Sequence, residues 1–120
     1  MTMKQSSSTE TLAPARSHAL SGLITVAEGA IVSRVLASSG GGNVTLFAFD
    51  GGQGLSEHTA PFDALVQVID GVLDIRVGEE EATVRRGEVV LMPADVPHSL
   101  QAPEPARMVL TMLREPKEAE

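Results

Sequence analysis

Three histidines, at positions 18, 58 and 98, are the side chains in this 120-residue chain best suited to chemistry near neutral pH. Imidazole changes charge in that range and also ligates divalent metals. There is no cysteine, which excludes disulfides, thiolate nucleophiles and thiolate metal sites. No Gly-x-Ser-x-Gly elbow singles out a serine. Gly40-Gly41-Gly42 leads into a strand pattern with no Lys-Ser or Lys-Thr pair after it, so it reads as a hairpin loop and not as a phosphate cradle. His18 falls in a polar opening stretch and is given no role. His58 and His98 remain, each at the edge of a strand run and each preceded by loop residues. Two imidazoles can hold a metal completed by water, bind an anion, or move a proton.

The elements that position them are short runs rich in Val, Leu, Ile and Thr. These are Leu23 to Ala27, Ala30 to Ala37, Asn43 to Asp50, Ala64 to Asp70, Val72 to Val77, Ala82 to Arg85, Glu88 to Met92, His98 to Ala102 and Arg107 to Leu113. Ser38 to Gly42, Asp50-Gly51-Gly52, Asp70-Gly71 and Arg86-Gly87 punctuate them as turns, too closely spaced for crossover helices. Antiparallel pairing follows, with closure into a barrel or jelly roll hiding the edges. Along Ala64 to Asp70 the even positions share one face and Leu65, Gln67 and Ile69 the other, both largely apolar. Such two-sided character predicts a barrel interior on one side and a second layer or partner subunit on the other, hence a homodimer. Residues 1–18 lack an apolar period and read as a disordered tail, residues 19–115 as one domain, and residues 116–120 as a charged end. Glu79-Glu80-Glu81 reads as a solvated hairpin tip, Phe47 and Phe49 as core, and Phe62 as a closure of the pocket mouth.

Composition narrows the partners. Nine Lys and Arg against 16 Asp and Glu leave a net charge of −7, which argues against nucleic acid, as does the lack of a helix-turn-helix or basic patch expected of a regulator. With three Phe and no Tyr or Trp, there is no stacking platform for bases or sugars. No apolar run is long enough to span a membrane and no secretory leader is visible, so the expected location is the cytoplasm.

Around the two histidines the chain resembles the cupins. Their first motif, Gly, five residues, His, one residue, His, three or four residues, Glu, six residues, Gly, is matched in spacing by Gly52, His58, Ala60, Ala64 and Gly71. Their second, Gly, five residues, Pro, one residue, Gly, two residues, His, three residues, Asn, is matched by Gly87, Pro93, Asp95, His98 and Ala102. The resemblance implies an all-β, cupin-type jelly-roll barrel of the small RmlC-like kind over about residues 43–113. It also implies metal ligands at His58 and His98, with alanine at the two other first-motif ligand positions. Asp63 and Glu57 are nearby carboxylates of the wrong strand parity, and would join only through a bulge. Two imidazoles imply at most one weakly held divalent ion, Zn, Ni, Mn or Fe. The pocket is expected from Ala60, Ala64, Val66, Val68 and Met92. Two functions are consistent with this: a small-molecule-binding cupin with an apolar two-histidine pocket, or a metal-dependent cupin enzyme (dioxygenase, isomerase or decarboxylase) with a degenerate ligand set.

Overall fold

A computed structural model describes residues 4–8 and 11–114. In chain order the strands are β1 (Lys4–Ser8), β2 (Ala30–Ser39), β3 (Gly42–Phe49), β4 (Gly54–His58), β5 (Asp63–Asp70), β6 (Val72–Val77), β7 (Glu80–Arg85), β8 (Val89–Met92), β9 (His98–Gln101) and β10 (Ala106–Leu113). They form a six-stranded sheet, β1-β2-β3-β10-β5-β8, and a four-stranded sheet, β4-β9-β6-β7. All pairings are antiparallel except β1 with β2. This is the expected all-β jelly roll, two sheets enclosing one apolar interior.

Side-chain alternation makes the interior. The inner face of the large sheet is built of cross-strand rows, including Asn43, Met112, Ala64, Met92 and, one layer deeper, Thr45, Leu110, Val66, Val90. Against it lie Leu73, Ile75, Val84, Leu100 and Ala102 of the small sheet and the segment after it, sharing one core cluster with Ile31, Phe49 and Met108. Phe47 and Phe49 stack within this face, ring centroids 6.1 Å apart, as their common parity predicts. The chain passes from the large sheet to the small one at Gly71, which has φ +73, and a Cβ there would run into the Pro105 carbonyl oxygen. Only glycine combines that backbone with that closeness.

Three segments differ from the sequence reading. Leu23 to Ala27, expected as a strand, is irregular chain after a 3-10 turn at Leu20–Gly22. Its apolar side chains reach burial without a ladder: Leu12, Leu23, Ile24 and Val26 pack on Leu36, Leu46 and Ala48, on the outer face of the large sheet. The Arg34 Nη1 donates to the Leu23 carbonyl (3.3 Å), the Arg107 Nε to that of Ile24 (3.4 Å), and the Leu12 N–H to that of Leu36 (3.0 Å). The stretch expected as a disordered tail contributes β1, because backbone pairing along an edge needs no apolar period. Gly54 to His58, expected as loop, is β4. No helix among the described residues is long and apolar enough to cross a membrane.

Candidate functional site

His98 opens β9 in register with Val77 of β6 on one side and His58 of β4 on the other. β4 carries a bulge between Leu55 and His58, the extra residue placing His58, and not Glu57, opposite His98. Regular alternation from Leu55 would set Glu57 opposite His98, and the bulge sets His58 there instead. Glu57 is exposed, and the Asp63 carboxylate is taken up by the Ala94 N–H at 2.8 Å.

The imidazoles meet edge to face, with centroids 4.4 Å apart and the two Nε2 atoms 3.1 Å apart. His98 is buried (4% exposed), whereas His58 is exposed at the rim. Each Nδ1 lies against a backbone carbonyl two residues earlier, His58 with Ser56 at 2.7 Å and His98 with Val96 at 3.1 Å. A carbonyl has no hydrogen to offer, so each Nδ1 carries it and donates; a hydrogen bond between the two Nε2 atoms then requires one ring to be the imidazolium, and when both rings are neutral two Nε2 lone pairs lie side by side. Burial holds His98 below its ordinary imidazole range, the Val96 hydrogen bond opposes this, and the charge on a protonated His58 adds to the lowering. With both rings neutral, the paired Nε2 acceptors are completed by a proton, a metal cation or a donor group of a bound molecule.

A divalent ion with nitrogen ligands at about 2.0–2.1 Å can be shared by two atoms at this separation. Among the described residues, however, no group of three His, Asp or Glu side chains is placed to hold an ion. Ala60 and Ala64 occupy the other motif positions; Ala64 is buried on the inner face and Ala60 half-buried beyond β4, its carbonyl accepting the Asp95 N–H (2.8 Å). The residues present therefore fit a two-imidazole site with its remaining ligands from solvent or substrate, and not a closed protein cage.

Of the other expected pocket residues, Met92 and Val66 are buried on the inner face with Ala64. Val68, also buried, is four residues or roughly 13 Å along β5 from Ala64, in the packed depth of the barrel. Gln67 points outward and is exposed, as its parity requires. Phe62 is half-buried under the Arg114 guanidinium, 5.4 Å from its ring centroid. Sequence reasoning missed Asn43 and Thr45, which the pairing of β3 and β10 brings, with Met112, into the same rows as Ala64 and Val66. Their only sequence signal was strand parity, which carries no register between strands distant in the chain. Asp95 stands at the second glycine position of the second motif and adopts φ +64, a conformation that Asp tolerates better than most residues.

A double-sheet barrel with paired histidines from neighbouring strands near one end defines the class of protein. The chain belongs to the cupin family: residues 45–113 match the family model described as the cupin domain. The conserved SPY1581 protein of unknown function from Streptococcus pyogenes is 30% identical, with a TM-score of 0.81 over 90% of this chain and 93% of that one. A cupin 2 conserved barrel domain protein from Leptotrichia buccalis is 33% identical, with a TM-score of 0.74 over 78% of this chain and 45% of the other. A cupin superfamily protein from Desulfitobacterium hafniense shares the fold at 24% identity, with a TM-score of 0.82 over 90% and 99% of the two chains. No curated protein matches the sequence.

Proposed function

We propose that this cupin binds a small, largely apolar molecule between its sheets, with the His58–His98 pair as the polar anchor. The observation that carries the reading is the pair of Nε2 atoms, 3.1 Å apart with both Nδ1 atoms committed to carbonyls. Ala64, Val66, Met92 and Met112 supply apolar wall, and methionine adapts to ligands of irregular shape. A donor group on the ligand contacts Nε2 directly, or a weakly held divalent ion bridges ligand and imidazoles. When bound, that ion would polarise an oxygen or nitrogen of the ligand. The alanines at positions 60 and 64 weigh against the enzyme alternative, since a tightly held catalytic ion needs three or more protein ligands.

Titration calorimetry of the chelator-treated full chain with zinc chloride tests the site. One ion per chain, bound weakly, removed by dialysis and absent in His58→Ala, is the expected result. Zinc that survives chelator, or binding unchanged in His58→Ala, overturns the weak-site reading. A ligand-observed NMR screen of small apolar alcohols and amides, with and without zinc, tests the pocket. Hits should shift the His98 ring resonances; hits that leave both histidines unmoved would place the pocket elsewhere.

A further inference from the structure

A second cleft lies on the outer face of the large sheet, at the end of the barrel away from the imidazole pair. Its walls are His18, Leu20 and Ser21 of the N-terminal segment, Ile69 and Asp70 at the end of β5, Arg86 in the β7–β8 turn and Arg107 at the start of β10; its volume is about 610 Å³. That size falls in the range of small-molecule pockets. His98 stands opposite Val77, six residues or roughly 20 Å along β6 from Gly71, so the two places are separate.

Its electrostatics are unlike those of the molecule. The chain carries −7, yet here two guanidinium groups face a single carboxylate. Asp70 is committed to Arg107, whose Nη1 donates to Oδ2 at 2.6 Å while its Nε reaches the Ile24 carbonyl at 3.4 Å. That leaves Arg107 rigid, 20% exposed, with Nη2 hydrogens to spare. Among the described residues no acidic group lies within ion-pair distance of Arg86. The turn bearing it is fixed by Gly87, whose N–H donates to the Val68 carbonyl at 2.8 Å, and by the Glu88 N–H to the Arg85 carbonyl at 2.9 Å. One positive charge is thus unpaired, beside a second guanidinium already oriented. On the other side Leu20, more than a third exposed, and Ile69, half-buried, offer apolar surface.

We infer that this cleft binds an amphipathic monocarboxylate. Its carboxylate is held by Arg86 and the free edge of Arg107, and its hydrocarbon part lies against Leu20 and Ile69. Guanidinium and carboxylate match as planar, bidentate partners. A dianion such as phosphate is less suited, because its second charge meets Asp70 and nothing in it uses the apolar wall.

Titration of the full-length protein with sodium octanoate, followed by amide and arginine side-chain NMR, tests the inference. Saturable shifts at Leu20, Ile69 and the Arg86 side chain are expected, with affinity at least tenfold weaker in Arg86→Ala, partly restored in Arg86→Lys, and unchanged in His58→Ala. Added salt should weaken binding, and octanol and inorganic phosphate should each bind at least tenfold less tightly. Absence of saturation at millimolar octanoate, an Arg86→Ala variant that binds normally, or phosphate binding as tightly as octanoate would each overturn it. Octanoate binding that disappears in His58→Ala would also overturn it, placing the carboxylate at the imidazole pair.

Discussion

Ala64 is the residue at which the weakness of the imidazole site can be reversed. It is buried on the inner face, beside Met92 and Met112 in register, at the position where the family motif carries glutamate. Ala64→Glu adds an oxygen donor there at the cost of burying a carboxylate. The variant should melt below the parent protein in chelator and bind zinc at least a hundredfold more tightly, recovering its midpoint when metal is added; calorimetry and thermal melts check both. The pH dependence of stability also belongs to single residues. Burial first, opposed by the Val96 hydrogen bond and aided by His58, holds His98 below its ordinary value. The unfolded chain then takes up more protons than the native one as pH falls below the ordinary imidazole pKa of about 6.5. The stability associated with a neutral His98 is intact above that value and is lost toward acid. In chelator, the melting midpoint should fall between pH 7 and pH 5.5, and fall less in His98→Asn; a midpoint that rises on acidification contradicts the assignment.

At the scale of elements, the corner at Gly71 joins the two sheets, and positive φ there coincides with the close approach of Pro105 and Ala106. Gly71→Ala should cost at least about 1–3 kcal/mol from backbone strain, the collision with the Pro105 carbonyl adding to it. Urea melts give the value directly, and a change within a few tenths of a kcal/mol would show that the corner relaxes freely. The N-terminal segment makes the opposite expectation from the one its composition suggests. Removal of residues 1–18 deletes β1 and the contact of Leu12 with the outer cluster, so the melting temperature should drop by several degrees. An unchanged midpoint would mean that β1 adds nothing to the sheet.

For the whole molecule, the outer face of the large sheet is covered only in part by the described residues. Beyond residues 12–26, a row of Ala37, Val44, Thr111, Leu65 and Leu91 crosses five strands in register. Val89, Leu91 and Leu113 are 58%, 52% and 49% exposed. That surface is where the homodimer expected from the two-sided apolar character of β5 would form. Light scattering at micromolar concentration should give twice the chain mass, and Leu91→Lys should reduce it to the monomer without lowering the β-sheet circular dichroism signal. A monomeric parent protein would refute the assembly.

Strand parity and glycine-marked turns determined most of the architecture in advance. β6 matches its expected limits residue for residue, and the buried alternation of Ala64, Val66 and Val68 follows from a period of two. The cupin resemblance carried by the spacing from Gly52 to His58 and from Gly87 to His98 implied that two histidines 40 positions apart meet, and they do. What the sequence could not determine depends on non-local pairing. The bulge that sets His58 opposite His98, the rows that place Asn43 and Met112 beside Ala64, and the edge that recruits β1 are all set by register, and register has no signature within a single strand. The segment over Leu23 to Ala27 shows the same limit from the other side. Its apolar residues specify burial, but only the vacant outer face of the large sheet decides that they are buried as irregular chain and not as a strand.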